Sequence, residues 1–445
     1  MTSNILNLSG YAVERFEETE DAYHVHAITL KPRFACAHCG STSATSWGTH
    51  EQLVRDLPMH GKRVGIYVLG RRFRCNACQK TGMEKLPHVS ERRAMTDRLE
   101  RWMGKQSLER TFAAVADEVG VDERTVRNVF RDHAADLERD FRFEVPRWLG
   151  IDEIHLIRKP RAVFSNIEQR TIVNILRDRN KRTVAAYLRA MEGRDQIRYV
   201  AMDMWSPYRE AVAAVLPQAT VVIDKFHVVR MANVALEAVR KGLRAKVASN
   251  ERRGLMHDRF LLLKREHELT AQQRFIVDTW AVQHPQLGEA YRLKERFFAI
   301  YDSADKHEAA NAYATWAASI PSELRTAFAP ITTAFKSWHD AILAYFDHPV
   351  TNAYTESLNA LIRVQDRLGR GYSFEALRAK MLYAHGLHKL ARPAFKRLRE
   401  RAGISAFAMG VPDDTNMRAL PDDGSEINYG TDIPTLAARI ESGRF

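Results

Sequence analysis

From Arg147 onward, short apolar runs alternate with polar breaks in a definite order. "RWLGIDEIHLI", "RAVFSNIEQ" and "RTIVNILRD" read as three strands joined by polar turns. "KRTVAAYLRAM" switches to helical spacing, with Val184, Leu188 and Met191 on one stripe. "IRYVAMDM" predicts a fourth strand, "SPYREAVAAVL" a second helix with Pro207 in its first turn, and "ATVVID" a fifth strand. The predicted order is β-β-β-α-β-α-β, which matches a ribonuclease H-like fold, a mixed sheet covered by helices. Farther on, "MANVALEAVRKGLRAKV", "AANAYATWAASI" and "AFKSWHDAILAYF" are amphipathic at helical spacing.

Upstream, the segment "TFAAVADEVGVDERTVRNVF" is apolar on one face in two pieces. Phe112, Val115, Ala116 and Val119 line a first helix that Gly120 ends; Asp122 is a good N-cap for a second. Val126, Val129 and Phe130 pack inward, leaving Arg124, Arg127, Asn128 and Arg131 outside. This fits a helix-turn-helix that reads the major groove; an ordinary helical hairpin is the plainer alternative.

Charge favours the first reading. The net charge is +12, and residues 31–110 hold 16 Lys and Arg against 7 Asp and Glu. A basic front end suits a polyanion, most simply nucleic acid. The four cysteines form two pairs, Cys36-Ala-His-Cys39 and Cys75-Asn-Ala-Cys78. A two-residue gap lets both thiolates of a knuckle reach one ion, and two knuckles close a structural Zn²⁺ site. The intervening "KRVGIYVLGRRFRC" alternates like a zinc-ribbon strand. There is no apolar run of membrane-spanning length, and the start has neither the basic nor the apolar part of a signal peptide. The protein is expected in the cytoplasm, on DNA, with no membrane partner.

Two aspartates, Asp203 and Asp224, each close a short apolar run. A carboxylate at the end of a buried strand is costly to desolvate without a partner such as a metal ion. In a ribonuclease H-like sheet the first catalytic carboxylate lies in the first strand and the second at the end of the fourth. Counting strands selects Asp152 and Asp203; Asp224, at the end of the fifth, is the alternative if the first hairpin is misread. Glu153, beside Asp152, points to the other face of its strand. Downstream, Asn352, Glu356, Asn359 and Arg363 recur at helical spacing on one face.

The ordered set of Cys36, Cys39, Cys75 and Cys78, the helix-turn-helix, "GIDEI", "MDMWSPYREAV", "VVIDKFHVVR" and "NAYTESLNALIR" resembles bacterial insertion-sequence transposases of the ISL-three family, over about residues 30–390. The resemblance implies a DDE transposase with Asp152, Asp203 and Glu356 as metal-binding carboxylates. It implies that Asp224 and His227, an Asp-x-x-His element, support the site or the bound DNA. Three converging carboxylates suit two Mg²⁺ ions, with Mn²⁺ as a substitute. DNA contacts are expected from Arg124, Arg127, Asn128 and Arg131, and from Asn359 and Arg363. Implied partners are double-stranded DNA, as terminal inverted repeats and target, and a homo-oligomer in the synaptic complex. A DNA-binding regulator with a silent catalytic domain and a nuclease without strand transfer are the competing classes.

The expected organisation is a lead segment over 1–30, a zinc ribbon over 31–95 and a helix-turn-helix over 96–146. The ribonuclease H-like catalytic core spans 147–395, with an all-α insertion over about 230–345, and a tail follows over 396–445. The basic cluster Arg240, Lys241, Arg244 and Lys246 in the insertion is expected to hold DNA phosphates.

Overall fold

The computed structural model of the chain describes residues 7–385, apart from Pro32 and Phe141. The tail expected over 396–445, with the last residues of the expected catalytic region, lies outside the described residues. Near the N-terminus β1 (Tyr11–Glu18) and β2 (Ala22–Thr29) pair antiparallel. The long hairpin of β3 (Ala44–Met59) and β4 (Lys62–Cys75) joins them through a parallel β2–β4 pairing, and β5 (Thr81–Met83) adds to the far end of β4. The expected lead segment is therefore corrected: its described part supplies two strands of the ribbon's own sheet. The cause is period-two patterning in "AYHVHAIT", whose Tyr23, Val25 and Ala27 share a small core with Val54, Val64, Ile66 and Val68.

Three helices follow: α1 (Asp97–Glu109), α2 (Phe112–Val119) and α3 (Glu123–Asp140). Thr96 and Thr111 cap the first two through the N–H groups of Leu99 and Ala114. Gly120 closes α2 in the left-handed conformation, and Asp122 accepts from the N–H groups of Arg124 and Thr125 to start α3. Val126, Val129 and Phe130 are buried as expected.

Next come β6 (Trp148–Leu156), β7 (Lys159–Asn166), β8 (Thr171–Ile175), α4 (Lys181–Ala190), β9 (Tyr199–Met202), α5 (Ser206–Val215) and β10 (Thr220–Ile223). Their order along the chain is the β-β-β-α-β-α-β of the sequence pattern. The sheet runs β10-β9-β6-β7-β8, with β6, β9 and β10 parallel and β7 and β8 antiparallel. From β10 to the return of the chain, the described residues form only helices and turns: α6 (Lys225–Arg244), α7 (Ser249–His257), α8 (Arg259–Leu263), α9 (Ala271–Gln283), α10 (Pro285–Ala299), α11 (Lys306–Ala318) and α12 (Arg325–Asp347). Then α13 (Ala353–Gly369) and α14 (Phe374–Lys380) come back to the sheet. No helix among the described residues is long and apolar enough to cross a membrane.

The strand period divides β6 between two cores. Leu149 and Ile151 join the helices of one face, whereas Ile154 and Leu156 share a core with the helix-turn-helix, α13 and α14. Polar ties brace this joint. Lys380 Nζ, almost fully buried, donates to the carbonyls of Ser107 and Leu108 in the last turn of α1 and of Arg110 at its C-cap. Arg378 donates to Glu138 of α3 and to Asn174 of β8. Buried Asp56 of β3 accepts from Thr96 at 2.6 Å and from Arg98 Nε at 2.8 Å, fixing the ribbon sheet to α1.

Three expected DNA contacts are placed differently: Asn359 of α13 is buried and donates to Asp152 Oδ2 at 2.6 Å. Arg240 is buried, donating to Glu237 at 2.7 Å and to the Leu255 carbonyl at 3.0 Å, so it holds α6 to α7 rather than facing solvent. Arg127 lies half-buried over the Phe112 ring, 5.3 Å from its centroid, and pairs with Glu123. It thus leaves the outer stripe, where Arg124 and Arg131 are exposed and Asn128 is half-buried.

Candidate active site

Four carboxylates and one histidine meet where β6, β9, β10 and α13 converge. Asp152, buried on the central strand, faces α13: its Oδ2 accepts from Asn359 Nδ2 at 2.6 Å and its Oδ1 from the Glu153 N–H at 2.6 Å. Glu153 turns to the opposite face and pairs with Arg179, as the strand period requires. Burial first, then the charge of Asp203, raises the Asp152 carboxyl to about 7. Asp203 directly follows β9, and its Oδ1 lies 2.9 Å from His227 Nε2.

Asp224 follows β10 and caps α6. Its Oδ1 accepts from the Phe226 N–H at 3.1 Å and its Oδ2 from the Asn352 N–H at 3.2 Å. Burial pushes its pKa up against those two bonds. One turn into α6, His227 lies between Asp203 and Glu356, with Nε2 at 3.7 Å from Glu356 Oε1. Burial lowers the pKa of this ring, but the Asp203 hydrogen bond and the surrounding carboxylates outweigh it and the net shift is upward. Glu356 stands in the first turn of α13, and burial, then Asp224, raises its carboxyl. Ligand atoms of Asp224, His227 and Glu356 lie within 4.8 Å of one another.

The donor set tests whether divalent metal fits. All four carboxylates are oxygen donors, burial penalises the charged form of Asp152, Asp224 and Glu356, and a hard divalent cation relieves that penalty. Asn359 Oδ1 is buried without a partner beside Asp152, leaving one more unsatisfied oxygen at this place. The residues fit the ion. In the ribbon, the Sγ atoms of Cys36 and Cys78 are 3.5 Å apart and those of Cys39 and Cys75 are 3.6 Å apart, with all four thiols free. A tetrahedron with Zn–S bonds of about 2.3 Å has edges of about 3.8 Å. The four thiols suit zinc.

Glycine sets the approach of α13. Gly150, two residues before Asp152 on the same face of β6, leaves room for Ser165, Asn352 and Thr355; a Cβ there would overlap Ser165 Oγ and lie 2.8 Å from Asn352 Oδ1 and Thr355 Oγ1. Because α13 carries Glu356 and Asn359, Gly150→Ala is expected to move the helix off the sheet. Overpacking of this kind costs about 1–3 kcal/mol. Chemical denaturation should show that loss, together with weaker divalent-cation binding by calorimetry; unchanged cation affinity would mean that the seating of α13 does not set the cation site.

The pocket thus brings together the sequence-chosen Asp152, Asp203, Asp224, His227, Asn359 and Glu356. Arg363 lies two turns beyond Glu356 on the exposed side of α13. Sequence reasoning missed the use of Asn352, whose backbone N–H binds Asp224 from 128 residues away. Helical spacing had marked that residue only as part of a polar stripe.

Comparison with known proteins gives matches along most of the chain. A family model described as "Transposase", for the ISL3 DDE domain, matches residues 149–381. A "Helix-turn-helix domain of transposase family ISL3" matches 84–134, and a "zinc-finger of transposase IS204/IS1001/IS1096/IS1165" matches 32–78. The chain is 26% identical over 373 residues to the transposase for insertion sequence element IS1001 of Bordetella parapertussis, covering 82% of this chain and 92% of that protein. It is also 26% identical over 313 residues to the transposase for insertion sequence element IS1557 of Mycobacterium tuberculosis, covering 63% of this chain and 69% of that one.

Proposed function

This chain belongs to the ISL3 family of insertion-sequence transposases, and from that premise we propose which residues cut DNA and how the parts cooperate. It is a DNA-binding DDE transposase that uses divalent metal and carries a zinc ribbon. In our reading, residues 147–395 are a ribonuclease H-like catalytic domain with an all-α insertion over about 230–345. The sheet order β10-β9-β6-β7-β8, with a carboxylate on its central strand and another after β9, supports this. The ribbon and the helix-turn-helix together, including β1 and β2, form the end-binding part. The partners are the element's terminal inverted repeats and target DNA, in the bacterial cytoplasm, and two ends call for at least two copies of the chain.

Asp152, Asp203 and Glu356 hold the metal, which we take to be Mg²⁺. The observation that carries this is their convergence around His227 from three separate elements. A divalent metal held by these carboxylates would supply Lewis-acid activation of the attacking oxygen and stabilisation of the leaving 3′ oxygen in an in-line displacement. The protein's own groups do the rest. Asn359 fixes the Asp152 carboxylate, and His227 steadies Asp203 and Glu356. Asp224, with both oxygens engaged by backbone N–H groups, holds α6 and the start of α13 in register. Water as nucleophile nicks the transposon end; the freed 3′-OH then attacks target DNA, so one pocket serves both steps.

Incubating the full chain with its own element's ends, target DNA and Mg²⁺ tests the reading. Nicked ends and end–target joints are expected. Nicks without joints would mark a nuclease, and end binding without nicks a silent regulator.

A further inference from the structure

We propose that the exposed stripe of α13 and the cleft at its C-terminal end form a DNA phosphate track that fixes the distance from the helix-turn-helix to the scissile phosphate. The proposal rests on the carboxylate pocket being the place of cleavage. Glu356, Ala360, Arg363 and Arg367 follow one another at helical spacing, so a single stripe leads from the pocket along the helix. Arg370 continues it at the C-cap. Ala360 and the three arginines are exposed, and no carboxylate among the described residues pairs with Arg363, Arg367 or Arg370. Exposed arginines in a row without counter-ions are a surface for a polyanion.

Arg370 carries a second signal. Its φ of 44° is left-handed, a conformation that favours glycine at a helix end. Holding an arginine there costs backbone energy that a glycine would avoid. Beyond it lies a cleft of about 740 Å³ between the helix-turn-helix and α13, lined by Phe112, Arg127, Val364, Arg367, Leu368 and Arg370 among others. Among the described residues Glu123 is the only carboxylate lining the cleft, and it is already paired with Arg127. Arg127 is thus turned away from the outer face of α3 and toward the path of the stripe.

The two ends of the track cannot drift apart, because the joint between them is packed. Gly369 has no Cβ where one would overlap the Tyr372 ring, and this lets Tyr372 seat against Phe112 of α2 at 5.0 Å between ring centroids. The Lys380 ammonium lies over both rings, 5.0 Å from Tyr372 and 4.8 Å from Phe112, while its Nζ binds the carbonyls at the C-terminal end of α1. From Glu356 to Arg370 the helix spans about 21 Å at about 1.5 Å per residue. That is about six base pairs at about 3.4 Å each.

The test uses end duplexes with about two or about five base pairs inserted between the sequence protected by the helix-turn-helix and the cut. We expect the footprint to be kept and the nick either to move inward, keeping its distance from the footprint, or to be lost. A nick that stays with the terminal sequence at an undiminished rate overturns the proposal. The second arm uses the Arg367→Gln/Arg370→Gln protein in an Asp152→Asn background, so that no catalysis is needed. Hydroxyl-radical protection should disappear between the footprint and the cut, and the slope of log K against log salt should become shallower by about 1.8. Unchanged protection and slope overturn the track. If Asp152→Asn alone still nicks, the carboxylate assignment fails instead, and the footprint still judges the track separately.

Discussion

Asp203→Asn should abolish nicking and joining alike, by about a hundredfold or more, while end binding should stay near its original strength. This is the scale on which one group that stabilises developing charge contributes to a rate. Asp203 is the acid in the pocket whose carboxylate has His227 as its partner and is not used to cap a helix, so its charge is available to an ion. Asp224→Asn should behave differently. Asparagine is as good an N-cap as aspartate, so α6 survives. The amide has one acceptor oxygen where the carboxylate uses two, so either the Phe226 or the Asn352 N–H loses its partner. An unsatisfied buried donor costs about 1–3 kcal/mol. Lower stability with residual Mg²⁺-dependent cleavage is the expected result. The opposite pattern, with Asp203→Asn active and Asp224→Asn dead, would reverse the assignment of the second acid; the close grouping of Asp224, His227 and Glu356 makes this the comparison to run first.

Removing zinc, by chelation or by Cys75→Ser, should undo one end of the ribbon and spare the other. Zinc binding to small modules contributes about 10–16 kcal/mol of folding free energy, enough to decide whether the knuckles exist. The cysteines sit where β3 and β4 begin and end, whereas the apolar residues Val25, Val54, Val64, Ile66 and Val68 lie farther along those strands and on β2. Hydrogen exchange should therefore report loss of protection around Cys36–Gly40 and Cys75–Lys80, with the amides of β2 and the first half of β4 still protected. Collapse of protection throughout the sheet would mean that zinc, not the apolar core, holds it. One zinc per chain by elemental analysis is the accompanying expectation.

Much of this architecture was legible because its causes are local. The cysteine spacing, the Gly120 turn with its Asp122 cap, and the strand–helix alternation after Arg147 each follow from a few neighbouring residues. Counting strands places Asp152 in β6 and Asp203 at the end of β9, which is where they lie. What could not be read depends on partners distant in the chain. Asn359 meets Asp152 across 207 residues, and Lys380 reaches carbonyls 270 and more residues away. Periodicity gives a residue's face but not what that face meets. Its spacing puts Arg127 on an outer face, whereas it lies over the Phe112 ring and lines the cleft toward the end of α13. Arg240 was read as free surface charge, although Glu237 three residues earlier was a local hint of its pairing. Strand β2 alternates plainly, but its parallel partner β4 lies beyond the intervening β3.

The shared core beneath the helix-turn-helix bears on any attempt to retarget the enzyme. Phe112, Val115, Val126 and Phe130 are covered in part by Ile154, Leu156, Tyr354, Leu358 and Leu377, which belong to the cutting half of the chain. A chimaera that takes its reading helices from another element would set foreign side chains on this surface, and the graft would inherit a seam of voids and overlaps. Swaps confined to the outward residues Arg124, Asn128 and Arg131 leave the seam untouched. New target preference is therefore best sought by changing letters on α3, with the helices themselves left in place.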